Sequence, residues 1–272
     1  MNRNSAVSRR PAGAIAVAAL AAGLVLAGCG GSSGGSASSN NTAASGSGST
    51  PASSASSSSS SSGSGSGGSV TTSDTVPFPV GVGNTWTYKT TYGTTVNRQT
   101  AVSSVSGGQQ VTMVTTSTVN GSTTHNTAYY VVHPDGSISL PFSQFNTSTS
   151  GTTVKLISGN VFWPPAAQLA SGQASHDTLK IEFSAGGVQK KVTAHITVKG
   201  VGTQSVTVPA GTYSATVIEM RESETIEGIA VSSVVKTWLA SGVGPVQTEV
   251  LIDEGGSDHL AAQDQLVSFK AG

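Results

Sequence analysis

Apolar and polar residues alternate in short runs from about residue 71 to residue 272, and Gly-containing turns separate the runs. The runs are rich in Val, Thr, Ile and Tyr, most of which favour strands over helices. At residues 85–89, for example, the alternation places Trp86 and Tyr88 on one face of a strand. This period of two predicts antiparallel β-structure throughout the region.

Turn residues divide this region into about ten strands. Asn120-Gly121 supplies the positive φ angles of a two-residue turn, so a hairpin is predicted from residues 111–118 and 125–133. A single short helix is predicted at residues 165–170, where a proline suits the first turn. Further strands are predicted at residues 137–142, 177–184, 188–199, 204–208, 212–224, 229–239, 246–253 and 265–270. The predicted fold is all-β, a single antiparallel curved sheet or half-barrel, with a β-sandwich as the alternative.

The first 29 residues follow a different pattern. Residues 1–10 are polar and contain three arginines, residues 11–25 are apolar and uncharged, and Leu26-Ala27-Gly28-Cys29 follows. A cationic segment, a short apolar segment and small residues at a cleavage site are the parts of a secretory signal peptide. The apolar segment is short for a membrane-spanning helix, which needs about 20 residues. We therefore predict a signal peptide at residues 1–28.

Leu26-Ala27-Gly28-Cys29 resembles the bacterial lipobox at all four positions. The resemblance implies cleavage between Gly28 and Cys29 and a lipid, with acyl chains such as palmitate, attached to the Cys29 thiol. Cys29 is the only cysteine of the chain, so no intrachain disulfide is possible. Two or three acyl chains hold a protein on a membrane far more firmly than one. The implied location is the extracytoplasmic face of the cell membrane or the outer membrane.

The residues that follow Cys29 cannot form a packed core. Residues 30–69 contain no charged, aromatic or large aliphatic side chain, and about half of them are Ser. Such a segment cannot bury enough apolar surface to offset the entropy lost on ordering. We therefore predict a disordered tether at residues 29–70, with a root-mean-square span of about 35 Å, and one folded domain at residues 71–272.

The charge distribution excludes nucleic acid as a partner. The chain has 13 basic and 13 acidic residues, but Arg3, Arg9 and Arg10 lie in the predicted signal peptide and every acidic residue lies beyond residue 70. The exported part is therefore mildly acidic. Proteins that bind nucleic acid need a basic stripe to displace counterions, and the nearest candidate here is the isolated pair Lys190-Lys191.

The polar residues show no spacing typical of a metal or catalytic site. The histidines are scattered, and residues 253–258 lack the alternate acidic or amide residues of a calcium loop. In an acidic run, Glu222 and Glu224 share one face of a strand and Glu219 lies on the other, which we interpret as a solvated sheet edge. A Ser/His/Asp triad assembled from distant strands stays open. We predict no enzymatic activity, no metal and no cofactor.

Three stretches resemble bacterial envelope proteins that contain domains of unknown function. They are Phe78-Pro79-Val80-Gly81-Val82-Gly83-Asn84-Thr85-Trp86-Thr87-Tyr88, Val208-Pro209-Ala210-Gly211-Thr212-Tyr213 and Trp238-Leu239-Ala240-Ser241-Gly242-Val243-Gly244-Pro245-Val246. Some of these relatives resemble the curved half-barrels of the lipoprotein carriers (LolA/LppX-like). The resemblance covers about residues 78–250 and implies a fold rather than an activity.

Two functions remain open for the folded domain. The carrier-like resemblance implies an apolar groove that binds a lipid or other amphiphile, and Trp86, Tyr88, Trp163 and Trp238 are the candidates to line it. These aromatic side chains could equally fill the core under the sheet. The alternative function is a structural or adhesive scaffold whose Thr-rich strand faces bind a protein or glycan of the envelope.

Overall fold

The structure is a computed structural model that describes residues 78–139, 147–149, 152–159, 162–185, 188–226, 229–253 and 257–272. These residues form fourteen strands and one short helix. The strands are β1 (Thr85–Thr90), β2 (Gly93–Val105), β3 (Gly108–Val119), β4 (Ser122–Val132), β5 (Ile138–Ser139), β6 (Thr147–Thr149), β7 (Thr152–Ser158), β8 (Phe162–Trp163), β9 (Ser175–Ala185), β10 (Val188–Val208), β11 (Gly211–Ile226), β12 (Ile229–Ala240), β13 (Gly244–Asp253) and β14 (Asp258–Lys270). The helix, α1, spans Ala166–Ser171.

All fourteen strands belong to one sheet, in the order β6-β7-β9-β10-β11-β12-β13-β14-β1-β2-β3-β4-β5-β8. Every neighbouring pair is antiparallel. The pairing of β14 with β1 joins the last described strand to the first. The predicted all-β fold with a single antiparallel sheet is confirmed, and the described residues do not form the two sheets of a β-sandwich.

The predicted hairpin turn at Asn120-Gly121 is confirmed. Asn120 has a φ of 50° and Gly121 a φ of 78°, and the turn connects β3 to β4. The separate strands predicted at residues 188–199 and 204–208 are instead one strand, β10, whose register shifts between Gly200 and Gly202. The glycines thus mark a bulge inside a long strand, as glycines in strands often do. Of the strand predicted at residues 137–142, the structure describes β5, and residues 140–142 lie outside the described residues.

Strand β2 lacks the pattern that identified the other long strands. Its inward residues are Thr95, Asn97 and Gln99, all buried and all polar. Thr95 Oγ1 lies 3.1 Å from Ser117 Oγ, and Thr115 Oγ1 donates to Asn97 Oδ1 at 3.0 Å, both across the pairing with β3. The prediction therefore missed β2 because its buried face is hydrophilic and satisfied by cross-strand hydrogen bonds.

Helix α1 packs against β10 at a position where a side chain would not fit. The predicted short helix is present, but it begins at Ala166, so Pro165 precedes it rather than forming its first turn, and Gly172 follows it with a φ of 71°. A Cβ atom at Gly200 would lie 1.9 Å from the backbone oxygen of Leu169. Glycine at this position therefore allows the helix backbone to contact the sheet directly.

Two hydrophobic clusters make up the core. The first cluster draws mainly on β9–β12 and comprises Leu156, Trp163, Leu169, Leu179, Ile181, Ala194, Ile196, Val198, Ile218, Met220, Val235, Leu239 and Val250. The second cluster comprises Phe78, Trp86, Tyr88, Val111, Met113, Tyr130, Val132, Val208, Ala215, Val217, Trp238, Ala240, Val246 and Leu266. Trp163 of the terminal strand β8 and Leu156 of β7, next to the other terminal strand, both belong to the first cluster. The sheet therefore curls until its two ends share a core, as sheets of this size generally must.

The predicted signal peptide, the tether, Leu26, Ala27, Gly28 and Cys29 all lie outside the described residues. Within the part of the chain that the structure describes, no helix has the length and apolar character required to cross a membrane.

Candidate functional site

Strand β11 carries two glutamates on its buried face. Glu222 and Glu224 continue the alternation of Ile218 and Met220, which belong to the first cluster. Glu222 is 3% exposed and Glu224 is 6% exposed, whereas Ser223 between them is exposed. The shared face predicted for the two glutamates is confirmed. The interpretation as a solvated edge is wrong, because β11 lies between β10 and β12 and its inner face is covered.

The strand register defines what surrounds these carboxyl groups. Glu222 lies opposite Ile196 of β10 on one side and opposite Ser233 of β12 on the other. Thr237 lies four residues after Ser233 and therefore on the same face of β12. Glu222, Glu224 and Ser233 are together termed the acidic interior site, whereas Thr237 lies opposite Ile218, further along the same face.

The acidic interior site, and Thr237 further along the same face, contain buried polar atoms that have no hydrogen-bond partner in the described part of the chain. They are Glu222 Oε1, Glu222 Oε2, Glu224 Oε2, Ser233 Oγ and Thr237 Oγ1. More than nine in ten buried polar groups in native proteins are hydrogen-bonded, so four such side chains on one face are unusual. The site thus offers acceptors and hydroxyl groups to a chemical group that the surrounding side chains do not provide.

Burial changes the acidity of both carboxyl groups. It raises the pKa of Glu222 to about 8, and the negative charge of Glu224 adds to this rise, which the nearby Ser233 hydroxyl partly offsets. Burial also raises the pKa of Glu224 to about 7. The cause is that a carboxylate is disfavoured where water is excluded. At pH 7 Glu222 is mostly protonated and Glu224 is close to half protonated, so a new neighbour can readily change the charge of the site.

The buried polar side chain of Gln99 provides a contrast, because it is fully hydrogen-bonded. Gln99 Oε1 accepts from the backbone nitrogen of Gly81 at 2.8 Å and from Asn84 Nδ2 at 3.2 Å, and Gln99 Nε2 donates to the oxygen of Pro79 at 3.0 Å. Asn84 Oδ1 in turn accepts from the nitrogen of Gly272 at 3.0 Å. These bonds attach the segment before β1 to the sheet and to the end of the chain, so the stretch at residues 79–84 has a structural role.

The four aromatic residues predicted to line a groove are all buried. Trp86, Tyr88 and Trp238 lie together in the second cluster, whereas Trp163 lies in the first. Trp238 Nε1 donates to Gln204 Oε1 at 3.2 Å. The structure therefore brings three of the four side chains together, and their role in lining a groove stays a prediction.

The bend between β12 and β13 explains two of these aromatic positions. Trp86 Nε1 donates to the oxygen of Val243 at 2.6 Å, and Tyr88 Oη donates to the oxygen of Pro245 at 2.9 Å. Two carbonyl groups of residues 242–245 are therefore the partners of the polar atoms of Trp86 and Tyr88. Phe78 stacks on Trp86, with ring centroids 5.7 Å apart.

Most histidines of the chain support strand pairing. Three of them contact a threonine hydroxyl directly opposite on the neighbouring strand: His125 with Thr116, His176 with Thr197, and His195 with Thr178, at 3.0, 3.1 and 3.3 Å. Cross-strand pairs of this kind stabilise a sheet. Within the described ranges, no group of three or more His, Cys, Asp or Glu side chains could hold a metal ion.

The turn after β4 gives His133 a separate structural role. His133 Nδ1 lies 2.8 Å from the oxygen of Gly107, so this nitrogen carries the proton, and Nε2 accepts from Ser139 Oγ at 2.8 Å. Asp135 Oδ1 accepts from the nitrogen and the hydroxyl of Ser137, and both bonds lower the pKa of this carboxyl group. These bonds hold the turn at residues 133–136 that connects β4 to β5.

Solved structures with a similar fold come from several bacteria. A protein of Parabacteroides distasonis is 17% identical, with a TM-score of 0.52, and the match covers 72% of this chain and 98% of that one. A protein of Bacteroides fragilis is 18% identical, with a TM-score of 0.49, and covers 71% of this chain and 98% of its own. At this identity the P. distasonis structure shows the fold alone. Among curated proteins, none is significantly similar to this chain.

The sequence also matches a family of proteins. The family described as DUF3108-like matches residues 83–256, which is well over half of the chain and includes nearly the whole region of the three resembling stretches. These comparisons do not show the resemblance to the lipoprotein carriers, which stays a prediction. The match at residues 83–256 includes every strand from β1 to β13. The chain therefore belongs to the DUF3108-like family.

Proposed function

We propose that the chain is an extracytoplasmic lipoprotein, anchored through Cys29, whose β-domain binds a lipid or other amphiphile without catalysing a reaction. The anchor is supported by the lipobox resemblance of Leu26-Ala27-Gly28-Cys29 and by the Ser/Gly-rich segment after it. The P. distasonis protein with the similar fold is described as a candidate lipoprotein, which agrees with this location. The membrane is thus the first partner of the chain.

The observation that carries the binding proposal is the mixed character of the interior beside β11. Ile196, Ile218 and Met220 are buried apolar side chains of the first cluster, and the acidic interior site follows them along the same face. An amphiphile has the same two parts, an apolar tail and a polar head. Ligand sites in proteins commonly combine an apolar lining with a few polar groups that fix the orientation of the ligand.

A binding role is also better supported than catalysis. Enzymes that use a histidine base place it beside a nucleophile and a carboxylate that orients it. In the described part of the chain, the contacts of His125, His176 and His195 are with threonine hydroxyls on exposed strand faces. These positions favour a role in strand pairing over a role in proton transfer.

Native mass spectrometry tests the binding proposal. Residues 30–272 would be produced in bacteria, purified without detergent and measured under gentle ionisation. We expect a fraction of the protein to carry one extra mass in the range of a membrane lipid, which strong activation releases. The same experiment on Ile196→Trp, which would fill the space among the apolar side chains of the first cluster, should lose the adduct, and its melting temperature would show whether the variant is folded. A wild-type spectrum of bare polypeptide, unchanged after incubation with lipid vesicles, would contradict the proposal.

The alternative function, a scaffold for a protein or glycan partner, is favoured by one part of the sheet. Residues 122–127 of β4 are exposed on both faces, so this end of the β3–β4 hairpin projects beyond the core. Its side chains are Ser, Thr, His and Asn, which can hydrogen-bond to a glycan. A photocrosslinker at Thr124 should capture a partner bound at the hairpin end in intact cells. The same crosslinker at the buried position Val132 is the control and should capture none. If the chain with the crosslinker at Thr124 is recovered only in uncrosslinked form, this alternative is contradicted.

A further inference from the structure

In the described part of the chain, no positive charge lies close to the acidic interior site. On β11 and β12, the cationic residues Arg221 and Lys236 alternate with the site residues and therefore lie on the opposite face of the sheet. There Glu219 has two cationic partners, because Lys199 Nζ lies 3.4 Å and Arg221 Nη2 lies 3.7 Å from its carboxyl group. The outer glutamate of β11 is thus neutralised, whereas the two inner ones are not.

The neighbouring strands do not place a positive charge beside Glu222 or Glu224. On β10, the residues that face Glu222 and Glu224 are Ile196 and Ala194, both apolar and buried. The next charged group on that face is Asp177 of β9, opposite Ile196, which is itself acidic. Lys190 lies on the same face of β10, but it is four residues beyond Ala194 and exposed. On β13, the residue opposite Ser233 is Ile252, and beyond it lies His259 of β14, which is exposed.

We infer that the acidic interior site binds the ammonium group of a cationic amphiphile, whose tail packs among the apolar side chains next to it. An ammonium group has three N–H donors. Glu222, Glu224 and Ser233 together have four oxygen atoms without a hydrogen-bond partner, all on side chains of the same face, and two alternate residues of a strand are only about 7 Å apart. The inference rests on the proposed function, because it names the head group of the amphiphile that the β-domain binds.

Binding of an ammonium group should release protons from the site. A positive charge beside a carboxyl group favours its ionised form. Since burial has raised the pKa of both glutamates to near or above neutrality, bound cation and bound proton compete at pH 7. The affinity should therefore rise with pH through the range from about 7 to 8, while an alkylamine, like lysine with a pKa of about 10, remains charged.

Three water-soluble probes with the same tail test the inference: octylamine, octanol and octanoate. Binding to the full chain carrying Cys29→Ser would be measured by titration calorimetry at pH 7, in two buffers with different ionisation heats. We expect octylamine to bind about tenfold or more tightly than octanol, because charge-assisted hydrogen bonds in a buried site are strong, and octanoate to bind weakest. The dependence of the octylamine heat on the buffer should show net proton release.

Variants of β11 provide the controls. Glu222→Gln has nearly the same shape but cannot ionise, so octylamine should bind it no more tightly than octanol does. Glu219→Gln changes the same residue type on the opposite face and should retain the wild-type preference and the proton release. The melting temperature of each variant confirms that it is folded.

The possible results separate the head-group inference from the proposed function. If octanol and octanoate bind as tightly as octylamine, or if Glu222→Gln keeps the preference, the inference is wrong and amphiphile binding stands. If none of the three probes binds the folded chain, amphiphile binding itself is wrong. A preference for octylamine that Glu222→Gln removes and Glu219→Gln retains supports both.

Discussion

Replacing Glu222 by glutamine should stabilise the folded domain near neutral pH. In the folded state burial raises the pKa of Glu222 from its ordinary value of 4.5 to about 8. Between these two pH values the unfolded chain has lost the proton of Glu222 while the folded chain still binds it, so the folded state becomes less stable as the pH rises. The glutamine side chain has no such proton to lose, and the variant therefore escapes this destabilisation.

The size of the effect follows from the two pKa values. At pH 7 the carboxyl group is ionised in the unfolded chain and mostly protonated in the folded domain, a difference of roughly 3 kcal/mol in the free energy of unfolding. For a domain of this size, this corresponds to a rise in melting temperature of about 6 to 12 °C. At pH 4, where the group is mostly protonated in both states, Glu222→Gln should have little effect.

Urea unfolding followed by tryptophan fluorescence measures this difference. Residues 30–272 would be refolded from urea before measurement, so that no bound amphiphile contributes to stability. Wild type and Glu222→Gln would be compared at pH 4, 6, 7 and 8.5. We expect the gain to increase with pH up to about 8 and then to level off. Glu219→Gln, which loses partly exposed salt bridges to Lys199 and Arg221, should instead be slightly destabilised, by less than about 1 kcal/mol.

A gain that is equal at pH 4 and pH 7 would refute the reasoning, because it would show that ionisation of Glu222 is not its cause. A loss of stability at pH 7 would refute it more directly. It would mean that the Glu222 carboxylate is stabilised in the folded domain, and the site would not be short of a positive partner.

Three further predictions follow from single positions. Cys29→Ser should abolish incorporation of radiolabelled palmitate and move the chain out of the membrane fraction, whereas labelling that persists would exclude Cys29 as the lipid site. Gly200→Ala should destabilise the domain by about 2 kcal/mol or more in urea unfolding, since its Cβ would lie 1.9 Å from the oxygen of Leu169. Gln99→Leu should be destabilising by about 3 kcal/mol in the same assay, because it leaves the buried partners of Gln99 unpaired. A midpoint within error of wild type would refute either of these last two.

Alternation predicted most of the sheet because most strands bury apolar residues on one face. Trp86 and Tyr88 show how directly this works, since their shared face is the buried one. The method failed at β2, where the buried side chains are Thr95, Asn97 and Gln99. A hydrophilic inner face gives no apolar alternation. The residues that hydrogen-bond to it lie far away in the sequence, so local patterns do not reveal them. The pairing of β14 with β1 was also unpredictable, because no local pattern encodes contacts between chain ends.

The acidic interior site was hidden for a related reason. Sequence alternation correctly placed Glu222 and Glu224 on one face, but it could not tell whether that face was covered. Two clues were available nearby: the same alternation includes Ile218 and Met220, which are apolar and continue the face inward. At these positions the apolar residues on the same face indicated burial, whereas the charge of the glutamates suggested exposure.

The contrast between Gln99 and Glu222 indicates why the acidic interior site requires a functional explanation. Both side chains are buried and polar, but Gln99 is matched by four partners that the fold provides. Glu222 has only the nearby Ser233 hydroxyl in the described residues, and an apolar residue such as the neighbouring Met220 would satisfy the fold better. Departures from packing rules are expected where function requires them. The departure consists of two ionisable groups, and a cationic ligand is the complement that would remove the instability.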